Sequence, residues 1–315
     1  MLYSNSKDFF NILVEGEPDS PEVPFLVNVI DRIFDKNKIP FPSKITEVGG
    51  SSSFKSFAKF CYRESETHST IPVLALSDND YRTSLDKKQN QDNKKLIEKK
   101  EPKIVYWKRH EWENYLLDET SLIAELINQL PSKTSAKTGK FSKQNSKTVS
   151  KEEIDAALLD YFQNQKQLKI EFWECLKFNL SRKIKKYPSI KKPDNFEEQT
   201  LSEIGNWFLE KSKKTEDIFE LKEISSDLFQ TIMMEFDWKP ILNSTSIVTF
   251  EHAKKYFRGK EAFDYLYKFI KEKVGLHNLS KENLKKDILC ELATSTQSSI
   301  YSELENLLQT ELNMS

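Results

Sequence analysis

Residues 11–34, NILVEGEPDSPEVPFLVNVIDRIF, decide the fold, because the apolar pattern changes its period part-way along them. Ile12, Leu13 and Val14 make a short, partly β-branched run of the kind that forms a buried strand. After a polar break, Phe25, Leu26, Val29, Ile30, Ile33 and Phe34 recur at helical spacing behind Pro24, a residue suited to a first helical turn. Three more apolar runs follow at 45–48, 71–76 and 104–107, with helical text between them. In "GGSSSFKSFAKFC" a Ser serves as N-cap and Phe54, Phe57, Ala58 and Cys61 share a face. Strand and helix in alternation predict an α/β fold, a mostly parallel sheet covered by helices. Ligands in such sheets gather at the carboxyl ends of the strands.

Beyond about Leu117 the strand signal fades. Ser150-Lys-Glu-Glu153 and Thr200-Leu-Ser-Glu203 are capping-box patterns, each followed by apolar residues at helical spacing. Residues 132–151 carry six lysines and no acid. They are expected to form a mobile loop, either a solvated linker or a flexible phosphate-grasping arm. Residues 82–103 form a second polar stretch that is expected to be exposed.

Lys and Arg total 48 against 49 Asp and Glu, so the net charge of −1 excludes a global positive field that would announce nucleic acid. The three cysteines are far apart and show no CxxC spacing, which points away from a disulfide framework or zinc site and towards a reducing cytoplasm. No apolar run approaches the roughly 18 to 20 residues of a membrane span, and MLYSNSKDFF lacks a basic n-region followed by a long apolar one, as a signal peptide would have. These features predict a soluble, cytoplasmic protein.

Chemistry concentrates where the apolar runs end. Glu15, Glu17 and Asp19 follow the first run, and carboxylates at the mouth of a buried strand are costly unless a cation meets them. The third run terminates in "SDND", so Asp78 and Asp80, read as alternating in an extended segment, point to one side. Hard oxygen donors of this kind suit Mg²⁺ or Mn²⁺. If the strands bearing Glu15 and Asp78 are neighbours, the acids converge and a metal relieves their repulsion. Taken alone, the DxD is equally a turn.

"LVEGEPD" after one strand, "VGG" ending a second, "LALSDND" ending a third and "HEWENYLL" after a fourth resemble a TOPRIM catalytic domain of the OLD-like kind. The layout is similar to the standalone AriB-type effectors of PARIS anti-phage defence. The likeness covers about residues 9–118. It implies a Rossmann-like sheet in which Glu15, Asp78 and Asp80 bind divalent metal and cleave phosphodiester bonds. It also implies Asp19 and Glu113 as further metal ligands, and "FRGKEAFDYL" as the element that returns Lys260 to the phosphate. Residues 119–245 would be a helical insertion and 246–315 a C-terminal helical return. No G-x-x-x-x-G-K-[ST] motif is present, since "SAKTGKFSK" lacks its first Gly and its final Ser or Thr. The resemblance therefore implies a toxic effector controlled by a separate ATPase, with RNA (tRNA included) or DNA as substrate and a homodimer as an available assembly.

Other readings stay open. Lys108 and Arg109 are either phosphate contacts or surface cations, and His110 is either a base or a packed side chain. Trp112 and Tyr115 read as core, and Arg182, Lys183, Lys185, Lys186, Lys191 and Lys192 as a nucleic-acid track or a solvated helix end. A DxD-bearing nucleotide-sugar transferase leaves Glu15 unexplained, a haloacid-dehalogenase phosphatase does not fit Tyr81-Arg82, and a non-catalytic module for an ATPase remains.

Overall fold

The computed structural model describes residues 10–16, 20–39, 43–64, 73–88, 93–132, 142–143, 147–183, 191–213, 219–242 and 247–312. Strands β1 (Phe10–Val14), β2 (Ser43–Glu47), β3 (Leu74–Ser77) and β4 (Lys103–Tyr106) pair in the order β2-β1-β3-β4, all parallel. The two central strands are the apolar ones, FNILV and LALS, because both of their faces are covered. The edge strands SKITE and KIVY carry lysines, which suit a half-solvated position.

Period-two alternation splits β1 and β3 between two cores. Ile12, Val14, Leu74 and Leu76 face α1 (Glu22–Lys36), whose Phe25, Leu26, Val29, Ile30, Ile33 and Phe34 are all buried as their spacing predicts. Leu13, Val73 and Ala75 face α2 (Phe54–Glu64) through Phe54, Ala58 and Tyr62. Phe57, expected on that buried face, is 38% exposed. Parallel crossovers share one hand, so a chain that moves from β1 outward to β2 and then back across to β3 must place its two helices on opposite faces. The strand order therefore reverses between β1 and β3, and a crevice opens there at their carboxyl ends.

Two short helices, α3 (Ser84–Lys88) and α4 (Asn93–Glu98), lead to β4, and α5 (Glu113–Leu116) and α6 (Thr120–Gln129) follow it. The helical region continues with α7 (Lys151–Gln163), α8 (Gln165–Lys183), α9 (Leu201–Lys213), α10 (Phe219–Glu235) and α11 (Trp238–Leu242). It closes with α12 (Phe250–Tyr256), α13 (Gly259–Val274), α14 (Lys281–Leu292) and α15 (Ser299–Leu312). Segments 9–118, 119–245 and 246–315 all contribute to the core on the α1 face, which runs without a break from Ile12 to Leu308. Both α14 and α15 pack on α1, and α13 packs on α5 and α7.

Two exposure expectations are corrected. Arg82 and Thr83, at the start of the second polar stretch, are buried, with the Arg82 guanidinium over the rings of Tyr106 and Phe178 at 5.0 and 5.7 Å. Within the lysine-rich segment, Ser142 and Lys143 are also buried. Ser142 exchanges backbone bonds with His277, and Lys143 Nζ donates to the Asn128 carbonyl at 2.8 Å, where the end of α6 needs a donor. Residues 133–141 of that segment lie outside the described residues.

Candidate active site at the carboxyl end of the sheet

Glu15 and Asp78 are the first residues beyond β1 and β3, so the reversal of strand order puts them side by side. Glu15 Oε2 accepts from Ser77 Oγ at 2.9 Å and from the Asp78 amide at 2.8 Å. The "VGG" that ends β2 has a mechanical role. Gly49, at φ +69°, exchanges two 3.1 Å backbone bonds with Gly16 and so fixes the turn behind Glu15.

The extended alternation expected of Asp78 and Asp80 is not what forms. Strand β3 stops at Ser77, and Asp80 sits in a turn at φ +44°, a left-handed conformation that Asp tolerates better than most residues. Its amide donates to the His110 carbonyl at 2.8 Å, and its carboxylate pairs with Arg82 at 3.1 Å. Asp78 Oδ1 accepts from the Trp112 amide at 3.2 Å. "SDND" and "HEWEN" are thereby stitched into one rim.

A third layer is contributed by the start of α13. The Lys260 amide donates to Glu111 Oε2 at 2.8 Å, and Asn114 Nδ2 donates to the Phe257 carbonyl at 2.9 Å. Gly259 permits the approach: a Cβ there would lie 2.5 Å from Asn114 Oδ1 and 2.7 Å from its amide nitrogen. From the other side Lys285, on α14, reaches Glu22 at 2.7 Å and Glu113 at 3.2 Å. A cavity of about 20 Å³, with room for about one water, lies between Glu15, Glu22, Asp78, Trp107, Trp112 and Ile300.

Negative charge dominates this edge. Burial, reinforced by Glu113, Glu111 and Glu15, pushes the Asp78 carboxyl well above the usual carboxylate range, against the pull of Lys260. Burial lifts Glu111 to about 7 although the Lys260 amide and ammonium both oppose it. Glu113 is also raised by burial despite Lys285 and Lys260. Glu22 goes the other way, because the Lys285 charge and hydrogen bond outweigh its burial. Partial burial weakens the Lys260 ammonium, but Glu113, Glu111, Asp78 and Asp80 more than compensate and raise its pKa.

The donors are all hard oxygens, a set that suits Mg²⁺ or Mn²⁺, and Glu113 Oε2 is buried without a hydrogen-bond partner. As arranged, no three Asp, Glu, His or Cys side chains among the described residues enclose a metal position. Their nearest oxygens accept from Ser77, Arg82, Lys285 and the amides of Asp78, Trp112 and Lys260. In donor chemistry and charge the residues fit a divalent ion, and these oxygens must turn to bind one.

Of the residues singled out from sequence, Glu15, Asp78, Asp80, Glu113 and Lys260 meet at this edge through the contacts and charges above. Asp19 lies outside the described residues. Lys108 and Arg109 face a different cleft, with His252, Lys255, Tyr256 and Glu303. Arg109 pairs there with Asp118 at 2.6 Å over the Tyr115 ring. His110 is buried against Tyr81, ring centroids 4.3 Å apart, and Tyr115 is core. In the basic cluster, Lys191 and Lys192 are exposed, and the side chains of Arg182, Lys183, Lys185 and Lys186 lie outside the described residues.

Three site residues were not singled out from sequence. Glu111 lies inside "HEWENYLL", two positions before the Glu that drew attention. Glu22 belongs to "SPEV", which opens α1. Lys285 has no local signature, since only the packing of α14 on α1 brings it to the edge. Compared with family models, with curated proteins and with solved structures, the chain matches none.

Proposed function

We propose that the chain is a divalent-metal-dependent nuclease of the TOPRIM kind, hydrolysing phosphodiester bonds in RNA, tRNA included, or in DNA. The observation that carries this reading is the pairing of Glu15 with Asp78 at the reversal of strand order, inside a ring of acids that outnumber their lysines. Glu15, Asp78 and Asp80 would hold Mg²⁺ or Mn²⁺, which supplies Lewis-acid polarisation of the phosphate and a nucleophilic water when bound. Glu111, with its pKa near 7, is suited to take or give a proton at neutral pH. Lys260, at the first turn of a 16-residue helix and with its amide held by Glu111, would hold the phosphate with its ammonium. By the same resemblance the protein would act as a toxic effector in anti-phage defence, restrained by a separate ATPase.

The test is incubation of the purified protein with Mg²⁺ or Mn²⁺ and separate DNA and total RNA pools, followed by mapping of the cut ends. Cleavage that needs the divalent ion is expected, and Glu15→Gln should lower it by about 100-fold or more while leaving the fold intact. Equal cutting by the variant and the parent refutes the nuclease reading. Turnover of a nucleotide-sugar without nucleic-acid cleavage would instead establish a transferase, and ATPase binding without turnover a non-catalytic module.

A further inference from the structure

Lys285 is built into the acidic edge. Its helix packs on α1, which carries Glu22, and its N-terminus is fixed by Ser280 Oγ accepting from the Asn283 amide. The Nζ atom lies between Glu22 Oε1 and Glu113 Oε1 and 4.2 Å from the centre of the Trp112 ring. The three side chains are 16%, 14% and 2% exposed for Lys285, Glu22 and Glu113, so water screens them little. Glu113 Oε2, buried and without a hydrogen-bond partner, marks a coordination site with capacity to spare.

Two enclosed carboxylates bridged in this way need a cation between them. An ammonium or a divalent ion can fill that role, but the two repel each other at such range. The surroundings favour the ammonium. A Trp face attracts a lysine head, whereas Mg²⁺ seeks oxygen ligands and keeps its waters, and the ring offers neither. We propose that Lys285 is a built-in cation that keeps a divalent ion out of the Glu22–Glu113 position, so that metal binds on the Glu15 and Asp78 side alone. Where this rests on the nuclease reading, it specifies the number of metal ions at that site.

The experiment counts Mn²⁺ bound per chain, by electron paramagnetic resonance titration of the free ion, for the parent and for Lys285→Met and Lys285→Arg. Lys285→Met should bind one more Mn²⁺ than the parent and lose it again when Glu113→Gln is added; Lys285→Arg should keep the parental number. Equal numbers for the parent and Lys285→Met overturn the proposal, as does loss of an ion when Glu113→Gln is made in the parent. A parent that binds none beside a Lys285→Met that binds one keeps the role of Lys285 and removes the metal reading of Glu15 and Asp78. If Lys285→Met unfolds, Lys285→Gln is melted with and without Mn²⁺. A rise in Tm that Glu113→Gln abolishes supports the proposal, and a melt that Mn²⁺ leaves unmoved overturns it.

Discussion

Glu171 and Asp78 are both enclosed carboxylates, they lie on either side of the same two loops, and they are treated in opposite ways. Glu171, on α8 and 0% exposed, accepts from Tyr81 Oη at 2.5 Å, Gln167 Nε2 at 2.6 Å, Arg258 Nε at 3.1 Å and the Arg258 amide at 3.3 Å. Asp78 has a single amide on Oδ1 and three further carboxylates around it. Tyr81 is the neighbour of Asp80, and Arg258 stands two residues before Lys260. Each loop therefore sends one side chain to the satisfied acid and one to the crowded edge. A carboxylate surrounded by donors locks loops in place, whereas carboxylates that outnumber their cations are poised to receive a ligand.

The sharpest way to break this contrast is Glu171→Ala. It leaves the buried Tyr81 hydroxyl without its acceptor and the Arg258 guanidinium with only its 2.7 Å pair to Glu261. Removing one partner from a buried ion pair costs about 3 to 5 kcal/mol, and the remaining Glu261 pair sets the expectation at the lower end. A denaturant titration should register a loss of that order. A loss below about 1 kcal/mol, the worth of an exposed pair, would mean that Glu171 does not hold the two loops.

Asp78→Asn should do the reverse in the absence of divalent ion. It removes a carboxyl whose ionised form burial and three neighbouring acids disfavour, so the variant should be more stable than the parent at neutral pH, with a higher urea midpoint. The divalent-dependent cleavage proposed for the parent should vanish at the same time. A variant less stable than the parent would show that the amide from Trp112, and not the crowding, dominates at Asp78.

The contrast also explains what could be read from sequence. The β1 run and the α1 periodicity were legible because each is local, and so were both capping boxes. Ser150 exchanges bonds with Glu153, and Thr200 exchanges bonds with Glu203. The edge was half legible: Glu15 and Asp78 follow directly from where apolar runs end, once the strands are taken as neighbours. Asp80 was placed by a period-two argument that fails because the strand stops at Ser77, and the left-handed turn delivers it by another route. Lys285, Glu171 and the buried Lys143 were illegible for a common reason. A charge in a helical or polar loop text has the same local pattern whether tertiary packing encloses it or leaves it in water.

His252 tests the contrast at its weakest point, with a partly buried ionisable group that has neither the donors of Glu171 nor the crowding of Asp78. It lies against the rings of Trp238, Tyr256 and Phe257, and its Nε2 is buried without a hydrogen-bond partner. Burial lowers its pKa to about 4, helped by Lys255 and opposed by Asp237. In the unfolded chain it titrates near 6.5, so between these values the unfolded state binds the extra proton. Its contribution to stability is therefore complete above about pH 6.5 and declines as pH falls towards 4. His252→Gln, which cannot titrate, should lose less stability than the parent over that window, so the gap between their urea midpoints should narrow on acidification. A gap that stays constant from pH 7 to pH 4 would show that the aromatic cage holds His252 by packing alone.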